Sequence, residues 1–282
     1  MIVFLNGKYV DEAKAQVSVF DQGFLYGDGV YETMRTYRGK LWHVDQHMKR
    51  LERSLSVAGM RLPYAIGRLI DQIKMIIRKN SYKEARVRVM ITRGLSESKG
   101  GRFQPSEKGK VTICITCYPL PMFTGKEKLR EVSVGFFPLE RSFPTVKTLS
   151  MFPLVMARMH ALREKLFDTL LVDREGYVSE GAVSNVFVVK KRVLYTPRAG
   201  MLQGVTREAV LRLARGLVRR KKLKKIVYCY FKRSFVLHGD EVFLTNAPSG
   251  VVSVVRVGEK KIGNGRAGFV TKEIFSSFME AL

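Results

Sequence analysis

Tyr118-Pro-Leu-Pro-Met-Phe-Thr-Gly-Lys-Glu-Lys128 interrupts the chain between two long patterned regions. Two prolines two apart favour an extended, semi-rigid backbone, and a glycine and three charged residues follow, so the stretch reads as a linker. It separates a small N-terminal domain, residues 1–117, from a larger C-terminal domain, residues 129–282, with 118–128 between them.

Upstream of the linker, Val111 to Tyr118 and Arg86 to Arg93 alternate as strands. The second places Arg86 and Arg88 on one face and Val87, Val89 and Ile91 on the other. The segment Gly94 to Lys110, rich in Gly, Ser and Lys, has no apolar period and reads as a long loop. Further back, Val44, Met48, Leu51, Leu55 and Ala58 recur at helical spacing, with Asp45 as candidate N-cap and Gly59 as stop, and a second helix carries Ile66, Leu69, Ile70, Ile73 and Ile77. A Gly-rich bend, Tyr26-Gly-Asp-Gly29, leads into a strand over Val30 to Tyr37. Val3 to Val10 and Ala15 to Phe20 are expected as short strands around Asn6-Gly7, forming an opening hairpin.

Downstream, strands are expected at Val132 to Phe137, Ile226 to Tyr230, Glu241 to Thr245 and Val251 to Val257, with a hairpin turning at Asp173 to Gly176 whose second strand continues through Val186 to Val189. Helices are expected around Val155, Met159, Leu162 and Leu166, from Thr206 through Leu217, and near Thr271 to Leu282. Strands and helices mix in both halves, an α+β pattern without internal repeats.

Hydrophobic residues make up 46% and charged residues 27% of the 282, a globular composition. Met1 to Asn6 form a short apolar run with no basic n-region and no small-residue cleavage site, and no apolar run approaches the roughly 18 residues a bilayer span needs, so a cytoplasmic protein without membrane contact is expected. Three cysteines suit a reducing compartment. Cys114 and Cys117, three apart on a strand, diverge, so no metal site is expected. The net charge of +25 raises the question of nucleic acid. Its densest run, Arg219 to Lys225 (RRKKLKK), joins a helix to a strand and reads as a solvated turn; no aromatic-interleaved basic motif or zinc spacing supports a nucleic-acid-binding protein.

Several residues could carry chemistry. Lys147 lies in Phe143-Pro-Thr-Val-Lys-Thr-Leu-Ser-Met-Phe-Pro153, otherwise free of charge. If buried, such a lysine becomes an amine able to attack an aldehyde, although a lysine that reaches solvent along its stem is commoner. Glu180 is similarly isolated in Val178-Ser-Glu-Gly-Ala-Val-Ser-Asn-Val186, as a partner for a protonated ring nitrogen or a carboxylate held by backbone amides. Gly204-Val205-Thr206 at a helix start offers N–H groups and a hydroxyl to a phosphate, or simply a cap. Arg50 sits beside the apolar stripe of the first helix, where it could grip a phosphate or stand exposed.

Taken in order, five segments carry a resemblance: Phe20-Asp-Gln-Gly-Phe-Leu-Tyr-Gly-Asp-Gly-Val-Tyr-Glu32, His47-Met-Lys-Arg-Leu51, Lys147-Thr-Leu-Ser150, Glu180-Gly-Ala-Val-Ser-Asn185 and Gly204-Val-Thr-Arg207. Over nearly its full length the chain resembles the class IV aminotransferases, fold-type IV pyridoxal-phosphate enzymes that include branched-chain aminotransferase, D-amino acid aminotransferase and aminodeoxychorismate lyase. The resemblance implies a small α/β sandwich-like domain followed by a larger one with a barrel-like sheet, pyridoxal 5'-phosphate between them, and a homodimer whose second subunit completes the pocket. It implies Lys147 as the Schiff-base lysine and Glu180 as partner of the pyridine nitrogen. Arg50, Val205 and Thr206 would hold the phosphate, and Asn246, in Thr245-Asn-Ala-Pro-Ser-Gly250, falls on a turn closing over phosphate and substrate carboxylate.

Among substrates, the resemblance favours an amino acid of branched-chain type exchanging its amino group with a 2-oxo acid. The D-specific enzymes carry an Arg-x-His trap in the long loop, and Gly94 to Lys110 contains no histidine. Against the branched-chain pattern, Thr33 stands where Gly is usual and Arg86 where Tyr is usual. Thr245-Asn246-Ala247 resembles the aminodeoxychorismate lyases, which release pyruvate and 4-aminobenzoate, so the lyase is the alternative. Tyr31, Arg35, Arg86 and Arg88 are the candidate substrate-facing residues.

Overall fold

The computed structural model describes residues 1–95 and 110–282, so the loop expected over 94–110 lies, but for its ends, outside the described residues. The chain forms two compact units, Met1–Thr124 with Val146–Met151, and Gly125–Thr145 with Phe152–Leu282. The division falls inside the expected linker. The continuous C-terminal domain expected over 129–282 needs one correction: Val146–Met151, bearing Lys147, belongs to the first unit, because Val146 is buried in that unit's core and backbone hydrogen bonds tie 147–149 to its sheet.

The first unit is built on a six-stranded antiparallel sheet. Its elements are β1 (Ile2–Leu5), β2 (Lys8–Asp11), helix α1 (Gln22–Tyr26), β3 (Gly29–Tyr37), β4 (Lys40–Leu41), α2 (Val44–Val57), α3 (Ile66–Lys79), β5 (Ala85–Thr92) and β6 (Thr112–Pro119). The strand order is β2-β1-β6-β5-β3-β4. Alternation decides what each face carries. Val30 and Met34 of β3, Val87, Val89 and Ile91 of β5 and Ile113 and Ile115 of β6 pack with Met48, Leu51 and Leu55 of α2 and Leu69, Ile73 and Ile76 of α3. On β3 the residues between them, Tyr31, Thr33 and Arg35, point to the opposite face, in register with Met90, Arg88 and Arg86 of β5.

Three local expectations change. The opening hairpin closes within residues 2–11, turning at Asn6-Gly7 with φ of 48° and 91°, and Ala15 to Phe20 forms no strand. A short helix, α1, capped by the Asp21 side chain, precedes the bend at Gly27. Helix α2 begins after His43 in a left-handed conformation, which leaves Asp45 in the first turn rather than at the cap.

The second unit holds β7 (Arg130–Pro138), α4 (Phe152–Arg163), β8 (Asp168–Val172), β9 (Val178–Gly181), β10 (Asn185–Lys190), β11 (Val193–Pro197), α5 (Val205–Arg219), β12 (Lys225–Cys229), α6 (Arg233–Leu237), β13 (Glu241–Asn246), β14 (Gly250–Val257), β15 (Lys260–Lys261) and α7 (Phe269–Glu280). Its strand order is β12-β11-β10-β13-β14-β7-β8-β9, with β15 beside β14. Parallel pairs occur at β7–β8, which α4 connects, at β11–β12, which α5 connects, and at β7–β14. The last strand of that order returns to the third: Gly181 N donates to Ser184 O (2.7 Å), and Asn185 on β10 reaches Glu180 on β9. The sheet therefore curls into a half-barrel. Val134, Leu170, Val186, Val188, Val242, Leu244 and Val254 form its core. No helix among the described residues is long and apolar enough to cross a membrane.

Candidate active site

In the first unit, Lys147 is held by backbone on both sides. Its carbonyl accepts from Tyr31 N (2.9 Å), its N–H donates to the Ser54 hydroxyl of α2 (3.4 Å), and Leu149 N donates to Gly29 O (2.8 Å). Residues 147–149 thus run antiparallel along the start of β3, with Thr148 opposite Val30. The side chain is half-buried rather than enclosed, and its Nζ lies 4.4 Å from the centre of the Tyr31 ring. The Arg88 guanidinium lies 4.6 Å from the same ring. Tyr31 therefore carries two cations on one aromatic ring, an attraction to the ring quadrupole. Arg88 also touches Met151 Sδ through Nη2 (3.7 Å), and its buried Nε has no partner among the described residues.

The other two arginines are placed differently. Arg35 donates from Nε to Thr36 O (3.1 Å) and lies over Tyr37, 4.0 Å from the ring centre. Arg86 is exposed over Tyr118 at 5.4 Å. Of the four candidates for the substrate, the fold gathers Tyr31 and Arg88 around Lys147 and sets Arg35 and Arg86 further along the same face.

One residue beyond Tyr31, alternation turns Glu32 to the helix side, where it is fully buried. It accepts from Arg50 Nε (2.7 Å) and Nη2 (2.8 Å) and pairs with His47 Nδ1 at 2.7 Å. His47 and Arg50, three apart on α2, share the face that meets β3. Burial alone would push the Glu32 carboxyl up; Arg50, by charge and hydrogen bond, and then His47 outweigh it and hold the pKa at about 2. Burial pushes His47 down against the pull of Glu32, and the charges of Arg50 and Lys147 add to the downward side. A neutral His47 donating from Nδ1 to Glu32 presents Nε2 as an acceptor, and that atom is buried without a partner among the described residues. Arg50 is thus a clamped guanidinium, 7% exposed, rather than a solvent-facing helix arginine.

The second unit carries the remaining candidates. Glu180, 3% exposed on β9, accepts from Arg141 Nη1 at Oε1 (3.0 Å) and, at Oε2, from Leu202 N (3.0 Å) and Asn185 Nδ2 (3.3 Å). The Asn185 amide also donates to Leu202 O (2.7 Å), so one side chain fixes both the carboxylate and the loop before α5. Asn185 explains Gly204: a Cβ at 204 would stand 2.0 Å from Asn185 Oδ1. At the start of α5, the first N–H groups have no acceptor within the helix. The Thr206 hydroxyl there is buried with no partner among the described residues. An unpaired buried hydroxyl at a helix N-terminus suits an anion. Arg207 ties this end of the helix to β11, donating from Nη2 to Pro197 O (3.1 Å) and from Nε to Thr196 Oγ1 (3.3 Å). Asn246 accepts from Ser249 N (2.7 Å) and closes the turn after β13; the hydroxyl of its neighbour Thr245 is a further buried group without a partner among the described residues.

Sequence reasoning gave no role to Glu32, His47, Asn185 or Arg141. The first three lie inside quoted segments, and the i, i+3 spacing of His47 and Arg50 opposite a strand acid was the available signal. Arg141, in Pro138-Leu-Glu-Arg-Ser142, had none.

The family described as amino-transferase class IV matches residues 29–257. A Methanocaldococcus jannaschii protein provisionally named a branched-chain-amino-acid aminotransferase is 32% identical over 288 residues, covering 99% of this chain and 96% of its own. The D-alanine aminotransferase of Bacillus licheniformis is 29% identical over 289 residues, covering 100% of this chain and 97% of its own. Among solved structures, the T.th. branched-chain amino acid aminotransferase with pyridoxamine 5'-phosphate superposes with a TM-score of 0.88 at 26% identity, over 99% of this chain and 93% of that one.

Proposed function

This chain belongs to the class IV aminotransferases, and on that premise we propose that Lys147 is its catalytic lysine and a branched-chain amino acid its donor. The enzyme is a pyridoxal-phosphate-dependent transaminase that moves an amino group between an amino acid and a 2-oxo acid. The observation that carries the role of Lys147 is its placement: a half-buried amine, fixed by backbone hydrogen bonds along β3, with Nζ against the Tyr31 ring.

The chain's own groups fit the cofactor. Thr206 has a buried hydroxyl in want of a partner at a helix start, and with Val205 N–H it suits a phosphate. Arg50 is a phosphate ligand whose guanidinium Glu32 holds in one orientation. Glu180 offers a buried carboxylate to the ring nitrogen. Pyridoxal phosphate, when bound, supplies an aldehyde carbon that carries the amino group and a pyridine ring that receives the electrons left at the substrate α-carbon. Lys147 takes the α-proton and returns it, acting as both base and acid. Asn246, its side chain committed to Ser249 N, shapes the turn over phosphate and substrate carboxylate. Arg88, on the Tyr31 ring with Lys147, is placed for a substrate carboxylate; Arg35 and Arg86 extend that positive face.

The names of the M. jannaschii and T.th. relatives support the branched-chain donor, as does the lack of histidine in 94–110. A homodimer is supported by large apolar side chains left exposed: Phe20, Phe24 and Leu25 in the first unit, Phe152, Val155 and Leu162 in the second. The testing experiment is an absorbance titration of the pyridoxal-phosphate-loaded protein with L-leucine, L-glutamate and D-alanine. Conversion to the pyridoxamine spectrum by L-leucine is expected; conversion by D-alanine alone would overturn the donor.

A further inference from the structure

We infer that Arg141 is the positioning residue that keeps the shared proton on the ring nitrogen of the cofactor rather than on Glu180. This rests on the proposed pairing of Glu180 with that nitrogen. A buried acid facing a buried base has a cheap escape from charge: the proton crosses to the carboxylate, and two neutral groups remain. A neutral ring is a poorer electron sink, so the site must block that crossing.

The surroundings of Glu180 do so in three ways. Oε1 is taken by the Arg141 guanidinium at 3.0 Å, and both side chains are nearly enclosed, 9% and 3% exposed. Neutralising Glu180 would leave Arg141 without its counter-charge in a buried place, which is strongly unfavourable. Oε2 is taken by two donors, Leu202 N and Asn185 Nδ2, neither of which can accept a proton in return. A second buried guanidinium, Arg207, feels the charge of Glu180: burial pushes its pKa down, and the charges of Glu208, Tyr228 and Glu180 oppose that. Each of these neighbours favours the carboxylate form.

The fold delivers Arg141 from outside the quoted motifs. β7 ends at Pro138, but Leu139 N still donates to Val172 O (2.9 Å), so the chain follows β8 for another step and brings Arg141 to β9, where Glu180 sits. Among the described residues, the ion pair of Arg141 is with Glu180.

The test uses the full-length protein loaded with pyridoxal phosphate labelled with nitrogen-15 in the ring, whose NMR shift reports whether that nitrogen carries a proton. Wild type and Arg141→Lys are expected at the protonated position near pH 7. Arg141→Gln is expected to move towards the unprotonated position, with turnover about 10- to 100-fold lower, the size of loss seen when the outer partner of a metal ligand is removed. Should the glutamine variant not fold, Arg141→Met, which keeps the apolar stem without the charge, is read instead with the same expectation. Glu180→Gln separates the two readings. If it shifts the resonance while the Arg141 variants stay protonated, the inference about Arg141 is overturned and the role of Glu180 stands. If Glu180→Gln leaves the ring nitrogen protonated, the pairing itself fails and the role of Arg141 falls with it.

Discussion

Two residues in the first unit carry opposite lessons about charge. Lys147, the proposed catalytic lysine, is only half-buried, so its removal should cost little stability. For Lys147→Ala we expect turnover below detection, with a melting temperature within a few degrees of wild type; measurable transamination in that variant would remove the residue from the mechanism. Glu32 is the reverse case, fully buried and answering to Arg50 and His47. Its folded pKa of about 2 lies below the ordinary 4.5. The stability it contributes is therefore fully present above pH 4.5 and lost as pH falls towards 2, on the order of 3 kcal/mol across that window. Urea unfolding between pH 2 and 6 should show the loss, and Glu32→Gln should flatten that acid limb. The same substitution leaves Arg50 buried without a counter-charge and should destabilise the protein at pH 7 by about 3 to 5 kcal/mol. Of these two, Lys147 stood out in the sequence because its neighbours are uncharged. Glu32 did not, because nothing local says that a strand acid will meet an arginine on a helix.

At the scale of elements, α4 shows how a periodic pattern misleads. Val155, Met159 and Leu162 recur at helical spacing, yet all three are exposed, while Leu154, Ala157 and Ala161 face the sheet. The small residues lie inward because α4 packs closely on β8, with Ala157 O accepting from Thr169 Oγ1 at 3.2 Å. An exposed stripe of this size is what a subunit interface needs. Replacing Val155 and Met159 together by Lys should yield a species of one chain mass, 32.1 kDa, by light scattering, where the wild type, as the proposed dimer, is expected at twice that. A wild-type monomer would overturn the dimer. Helix α5 offers a second case, since its start is fixed by the contact of Gly204 with Asn185. Gly204→Ala forces a Cβ into the 2.0 Å gap at Asn185 Oδ1 and should cost about 1 to 3 kcal/mol. Because Asn185 also holds Glu180, pyridoxal-phosphate affinity should fall with it in a fluorescence titration.

For the molecule as a whole, the net charge of +25 is the feature that the fold does not absorb. Arg219 to Lys225 spans the end of α5, the turn after it and the first residue of β12, mostly exposed; Lys222 pairs with Glu273 at 2.8 Å. Such a charge attracts polyanions through counterion release alone. Affinity for a mixed-sequence single-stranded DNA should fall by about a thousandfold or more between 50 and 200 mM salt in an anisotropy assay. Affinity that persisted through that range would point to a built nucleic-acid site.

The sequence by itself determined most of the strands and most of the helices, because periods of two and of three to four follow directly from backbone geometry. It also determined the family, because motifs such as Lys147-Thr-Leu-Ser150 and Gly204-Val-Thr-Arg207 stand in order along the chain. Only tertiary structure decided that six residues around Lys147 belong with the first unit, that Arg88 rather than Arg35 or Arg86 shares the Tyr31 ring with that lysine, and that Glu180 is held by Arg141. Each of those depends on which strands become neighbours and which side chains lose water. Local sequence sets the period of an element, but pairing, burial and charge compensation arise between segments far apart in the chain.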